Sequence, residues 1–478
     1  MKKLIFMLLC LGCFTVSRSK LTTPAVISSC MVIQQGKYTP IWGNALPDER
    51  IDVRIGKQHL RTKASSDGTW IVWLKPMKAD GKTQYTLTIK GRKEKIEYTN
   101  IVVGEVWIAA GQSNMQYSMK RDKTFVPPKK GKDLAVLEMN KPDNLMIRVY
   151  VSARNSKKQG TWAVAGRKSL PDASTVGYYF AKALSDSLNV PVGIITAALG
   201  GTRIESWTTA EAYGMSEDFA EELKSKGNVD RIKPGTCYNT FIRPIQKYSI
   251  RGFLWYQGEN NCGIGGMRYA RKMKVLADSW RQTFGGGKLP FYYVLLAPHV
   301  YSDRLHRNGG PQTAETLPLF REQQKEAARI ISDAAYTSVS DLVDDLHDIH
   351  PSYKWTVGKR LSNIALEKCY GRKGKVCVSP NVEKVERDGH RLSVTFGNVG
   401  DGLTSLDGKR INWFEVAGDD GVFHYAVADI TGKDKVGVYS DLVQSPRYVR
   451  MGWHETAEPN LGNSEKLPTA SFGSIAAE

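Results

Sequence analysis

Ser113 stands where an apolar run of strand length, residues 106–110, gives way to the polar turn Gly111-Gln112-Ser113-Asn114-Met115. Open α/β sheets place their ligands at the carboxyl ends of strands, and backbone geometry there can hold a serine outward. Near neutral pH its hydroxyl is a weak nucleophile until a base takes its proton. Of the eight histidines, His350 is best placed to do so: it follows the apolar run 336–340 and a short acidic loop, and a helical stretch comes after it. Asp344, Asp345 and Asp348 lie just upstream. One of them can fix the imidazole tautomer and stabilise the imidazolium. Acyl transfer also needs donors where an oxyanion forms. Gly200-Gly201, after the apolar run 192–198, allows close backbone approach to a substrate. Gln257, Gly258, Glu259 and Asn260 end another apolar run. Together these residue types suit nucleophilic acyl transfer by a serine hydrolase.

Four blocks stand in order along the chain. They are Gly111-Gln112-Ser113-Asn114-Met115, Gly200-Gly201-Thr202-Arg203-Ile204-Glu205-Ser206-Trp207, Trp255-Tyr256-Gln257-Gly258-Glu259-Asn260 and Asp348-Ile349-His350-Pro351. In wording and order they resemble the SGNH-type hydrolases, in the branch of the sialate O-acetylesterases. The resemblance runs from about residue 21 to the end. It implies an α/β fold, with an SGNH-like parallel sheet sandwiched by helices and flanked by N- and C-terminal β-rich regions. It also implies a serine esterase that removes O-acetyl groups from sialic acid, including 9-O-acetyl groups, through an acetyl-enzyme on Ser113.

By the same resemblance His350 is the base, and the backbone N–H groups of Ser113 and Gly201 are oxyanion donors. Asn260 or Gln257 supplies a third donor. The common SGNH spacing puts the acid three residues before the histidine, which here is His347. The branch's Asp-Ile-His-Pro wording points instead to Asp348, with Asp345 and Asp341 as alternatives. Gln112, Arg203, Asn239 and Glu259 fall at positions near the substrate pocket. Arg203 could meet a substrate carboxylate or pair with Glu205 or Glu259. Two other readings stand beside this one: the same chemistry on another acetylated glycan, such as xylan or pectin, and a non-catalytic carbohydrate-binding protein on an esterase scaffold.

The elements that must position these residues follow from periodicity. Residues 20–100 alternate apolar and polar residues between turns such as Asp67-Gly68 and Asp80-Gly81, the pattern of a small β-sandwich. Over 101–374 apolar strand candidates recur at 106–110, 147–151, 192–198, 252–257, 291–297 and 336–340. Between several of them lie helical stripes: Val176, Phe180, Leu184 and Leu188, then Tyr269, Met273, Leu276 and Trp280. Val357, Leu361 and Ile364 form another after His350. Strands alternating with helices predict a parallel sheet covered on both faces. Residues 120–141 and 301–316 read as insertions that could wall the site, the second carrying Arg304, His306, Arg307 and Asn308. Residues 375–478 return to short strands and turns, and the resemblance suggests that they pack with the N-terminal β region.

A 478-residue chain with 41% hydrophobic residues accommodates two or three domains with ordinary cores. The net charge of +19 is diffuse and accompanies no nucleic-acid signature; it suits an anionic substrate without identifying one. No phosphate loop, dinucleotide fingerprint or zinc-protease motif occurs, so no cofactor or metal is expected. The Gly-x-Ser-x-Gly elbow of the ordinary α/β-hydrolases is absent too. Residues 1–19 read as a secretory signal: Lys2-Lys3, an apolar middle, then Ser17-Arg18-Ser19. That predicts a secreted or periplasmic protein without an integral span, with lipid anchoring at Cys13 as the lesser option. Removing the signal leaves Cys30, Cys237, Cys262, Cys369 and Cys377, so at least one thiol is free. Cys369 and Cys377 are near enough in sequence to pair or to remain buried thiols.

Overall fold

The computed structural model describes residues 20–123, 128–131, 133–152, 160–263, 266–303 and 312–478. The proposed signal, Cys13 and the residues Arg304, His306, Arg307 and Asn308 lie outside the described residues.

The strand Lys95–Gly111 is the spine of the molecule. Its first half alternates exposed and half-buried residues and pairs antiparallel with Tyr85–Lys90. Its second half is buried at every position and enters a parallel sheet. One strand therefore serves a half-solvated antiparallel layer and a fully covered parallel one, and its sequence changes from alternating to continuous apolar at the transition. Across the sheet the order is Ala334–Thr337, Phe291–Val294, Gly252–Tyr256, Lys95–Gly111, Val192–Ala198, Asn144–Val151 and Thr161–Ala165. All the pairings are parallel except the last, where Thr161–Ala165 runs antiparallel.

Alternate residues of each strand enter two cores. On one face Ile108, Phe253, Trp255 and Phe291 pack with Tyr269, Met273, Leu276 and Trp280 of the helix Tyr269–Thr283. The same core runs without a break into the N-terminal β region through Ile41, Val53 and Leu87. On the other face Trp107, Ala109, Ile194 and Leu254 pack with Val176, Phe180 and Leu184 of Thr175–Leu188. Val357, Leu361 and Ile364 of Lys354–Lys368 complete that layer. The predicted α/β class with flanking β-rich regions is what the chain adopts. A further helix, Thr316–Ile330, was not legible because Arg321 and Gln324 interrupt its buried stripe of Leu317, Phe320 and Ala327.

The C-terminal β region has its own core, with Val394, Phe396, Phe414, Val436 and Val449 between two four-stranded sheets. Its hydrogen bonds to the α/β part run to His299, Tyr301, Ser302, Glu315, Lys325 and Arg360. All five described cysteines are free thiols, so Cys369 and Cys377 are unpaired. Among the described residues no helix is long and apolar enough to cross a membrane.

Gly111 ends the spine with φ +142°, and a Cβ there would lie 2.1 Å from the Tyr256 carbonyl oxygen of the neighbouring strand. Gly111→Ala is expected to cost on the order of 3 kcal/mol, because a non-glycine residue must adopt this φ and push that backbone aside. Urea unfolding checks it; an unchanged midpoint contradicts the close approach.

Candidate active site

Four strand ends deliver the four sequence blocks to one rim of the parallel sheet. The spine continues one residue past its end, where the Gln112 amide donates to the Tyr256 carbonyl at 3.0 Å. Gln112 then caps the one-turn helix Ser113–Gln116. Gly200-Gly201 follows Val192–Ala198, Gln257 through Asn260 follow Gly252–Tyr256, and His350 precedes Lys354–Lys368. Parallel pairing puts these carboxyl ends side by side, which is why residues far apart in sequence converge.

The Ser113 Oγ lies 2.8 Å from the His350 Nε2, a hydrogen bond between partly buried groups. Asp348 lies beside the same imidazole, but its Oδ1 is 3.7 Å from the His350 Nδ1, beyond hydrogen-bond length. That oxygen instead accepts from the His350 backbone N–H at 2.8 Å. The alternatives are committed elsewhere. Asp341 receives two hydrogen bonds from Arg360, and Asp345 accepts from the His347 amide. Asp344 accepts from the Tyr353 hydroxyl and the Lys129 amide. The described part of the first insertion thus packs on the loop that carries His350.

Burial is the largest influence on the His350 imidazole, and with the positive charges of Lys354 and Arg121 it lowers the pKa from 6.5 to about 4. Asp348 opposes that shift, and His299 adds to it. At neutral pH the His350 imidazole is therefore uncharged.

The predicted donors divide. Gly200 packs against Ser113, since a Cβ on it would lie 3.3 Å from the Ser113 Cβ. Its N–H is occupied by the Gln116 Oε1 at 3.0 Å. Gly201, with φ +73°, is exposed next to it, and its carbonyl accepts from the Asn260 Nδ2 at 2.6 Å. Gln257, offered as an alternative third donor, is a correction. It is fully buried, and its Nε2 donates to the Gln112 Oε1, the Thr202 carbonyl and the Asn261 Oδ1. Its Oε1 accepts from the Tyr269 hydroxyl. Its amide is spent knitting two strand ends together.

The expected substrate contacts divide in the same way. Gln112 is buried, and its Oε1 accepts from Gln257 and from the Asn260 backbone N–H, so it braces the turn from within. Arg203 is also a correction as a free carboxylate partner. Its guanidinium is buried, paired with Glu205 at 2.8 Å and bonded to the Asp230 carbonyl. Glu205 is shared with the fully buried Lys272. Asn239 is exposed on a π-helical turn, Tyr238–Ile242, and shares no hydrogen bond with the Ser113 group among the described residues. Glu259 is buried against the Asn114 amide, and burial pushes its carboxyl pKa up.

Two polar residues at this rim escaped the sequence reading. Asn114, next to Ser113, reaches Glu259, Lys354 and the Ile349 carbonyl. Lys354 is wholly buried. A signal for it existed: it sits three residues before Val357, on the stripe that Leu361 and Ile364 continue.

A family model described as a carbohydrate esterase, sialic acid-specific acetylesterase, matches residues 103–367, more than half of the chain. Human sialate O-acetylesterase (Homo sapiens) is 27% identical over 402 residues, covering 77% of this chain and 75% of that protein. The enzyme of the same name from Mus musculus is 26% identical over 422 residues, covering 75% of each chain. The crystal structure of a carbohydrate acetylesterase from Xanthomonas citri superposes with a TM-score of 0.81 at 29% identity. It covers 94% of this chain and 98% of that one.

His350 is expected to titrate near pH 4 in histidine-ring NMR spectra. The unfolded chain takes up this proton below 6.5, whereas the folded state refuses it until about 4. The group therefore subtracts stability progressively as pH falls through that window, and not above it. A ring titrating at 6.5 or higher contradicts the assigned surroundings.

Proposed function

The chain belongs to the sialic acid-specific acetylesterase family of carbohydrate esterases, and from that premise we propose that it deacetylates O-acetylated sialic acid, including the 9-O position, with Ser113 as nucleophile. The observation that carries the mechanism is the 2.8 Å contact between the Ser113 Oγ and the His350 Nε2 at the rim. The neutral imidazole accepts the hydroxyl proton as Oγ attacks the acetyl carbonyl. The amides of Ser113 and Gly201 face the developing oxyanion; a first-turn helix amide such as that of Ser113 has no acceptor within its helix. Collapse breaks the bond to the sugar oxygen, which takes the proton from His350. Water, deprotonated by the same imidazole, then attacks the acetyl-enzyme, and the imidazolium returns that proton to the Ser113 Oγ as acetate leaves. Asp348 orients the histidine loop through its bond to the His350 amide and supplies nearby negative charge for the imidazolium. Export through residues 1–19 belongs to the same reading, on the pattern of a basic start, an apolar middle and small residues after it.

The same chemistry on another acetylated glycan is favoured by two observations. Arg203, for which a sialate carboxylate and an ion pair with Glu205 were both open, is paired with Glu205. The solved relative that spans nearly the whole chain is a carbohydrate acetylesterase. A purely carbohydrate-binding role leaves the serine–histidine contact without a use.

Ser113→Ala and His350→Ala are each expected to lower esterase turnover by at least about 10³-fold. Acetate release from 9-O-acetylated sialic acid and from acetylated xylan, measured side by side, checks both halves of the proposal. Unchanged turnover in Ser113→Ala ends the serine reading. Release from xylan alone ends the sialate reading and leaves the chemistry standing.

Asp348→Asn is expected to slow turnover by about 10–100-fold. That is less than the roughly 10⁴-fold effect of the same change in a directly bonded triad, because the carboxylate here stands off the imidazole. The ratio of kcat values checks it, and a loss as large as that of His350→Ala contradicts the stand-off geometry.

A further inference from the structure

His350 sits between two backbone carbonyls, one held by Asn114 beside the nucleophile and the other by Lys354 at the start of the helix that follows the histidine. The Asn114 Nδ2 donates to the Ile349 carbonyl at 3.0 Å. The Lys354 Nζ donates to the Pro351 carbonyl at 2.5 Å and to the Asn114 Oδ1 at 2.7 Å. The Asn114 Nδ2 also reaches the Glu259 carboxylate. Asn114, Lys354 and Glu259 are all buried. The Tyr117 and Tyr256 rings lie 5.1 and 5.3 Å from the ammonium.

We propose that Lys354 and Asn114 are positioning residues, a buried clamp that fixes His350 against Ser113 by holding the carbonyls on both sides of it, with Glu259 anchoring the Asn114 amide. The proposal rests on the serine mechanism above. Asn114 directly follows the nucleophile, so the residue that sets the serine turn also sets the histidine loop. A buried ammonium costs several kcal/mol unless its hydrogen bonds and a counter-charge compensate it. Lys354 has two oxygen acceptors, two aromatic faces and the nearby Glu259, whose second oxygen, Oε2, has no hydrogen-bond partner among the described residues. A lysine of that cost, placed four residues after the base, suits a site where imidazole position matters. Its charge has a second effect. The charged and titratable groups facing His350 are Lys354, Arg121, Asp348 and His299, and Lys354 leads the charges that disfavour the imidazolium.

The test compares the full-length parent with Ser113→Ala, Lys354→Met and Asn114→Ala on p-nitrophenyl acetate from pH 3.5 to 8, with circular dichroism to confirm folding. Lys354→Met is expected to lose about 10–100-fold in kcat with KM within about twofold, the scale of a misplaced catalytic group. Its acid limb moves upward, because the imidazolium no longer faces a buried cation. Asn114→Ala loses kcat similarly but keeps the parent's acid limb, since the cation remains. A lysine that only stabilises the fold would lower the melting temperature and leave the pH profile alone. A folded Lys354→Met with the parent's kcat and acid limb overturns the clamp. If that variant does not fold, Asn114→Ala with the parent's kcat overturns it instead. Parent-level turnover in Ser113→Ala overturns the serine reading and the clamp with it, a result distinct from either failure above.

Discussion

A hydroxyl and an imidazole 237 residues apart in sequence meet at 2.8 Å, and the rest of the molecule supplies the conditions for that meeting. A contact of such separation pays a loop-closure cost and survives only if other interactions hold both ends in place. Parallel strand pairing does the coarse work. Ala110 is in register with Trp255 and Ala197, so the turns beyond them emerge at one level. The local work falls to amides. Gln112 and Gln257 bond to each other across neighbouring strand ends, Gln116 holds the Gly200 amide, and Asn260 holds the Gly201 carbonyl.

Buried charge is the second theme, and around two glutamates it is gathered into compensated clusters. Glu105, at the transition in the spine, accepts from Gln34, Gln35, Arg251 and Tyr370 and so ties the N-terminal strands to the central sheet. Glu205 gathers Arg203, Lys272 and Asn261 behind the Gly200-Gly201 turn. Removing one partner from such a group leaves an unpaired buried charge, which costs more than the pair contributes. These clusters explain why polar residues of the quoted blocks are so rarely free to face a substrate. The blocks encode the scaffold of the rim as much as its chemistry.

That distinction also marks how far the sequence could be read. The strand 192–198 and the helical stripes at Phe180, Trp280 and Leu361 were legible because burial on a sheet or helix face imposes a period. The approach of Ser113 and His350 could be anticipated because each follows a strand in a parallel sheet. Side-chain allegiance was not legible. Whether Arg203 turns outward or towards Glu205, and whether the Gln257 amide faces a ligand or Asn261, depends on partners from distant strands that periodicity does not reveal. Lys354 was overlooked because a lysine in an amphipathic helix ordinarily marks the solvent face; its buried stripe position was the contrary sign. The reach of the Asp348 carboxylate also depended on loop geometry, and its bond to the His350 amide turns it off the ring.

The proposed mechanism requires that His350 activate Ser113. Mass spectrometry of peptides from protein treated with a fluorophosphonate ester measures this directly. The account predicts one phosphonylated serine, at position 113, with labelling that falls sharply in His350→Ala at pH 7. An active protein that carries no label on Ser113, or labels it equally well without His350, would contradict it.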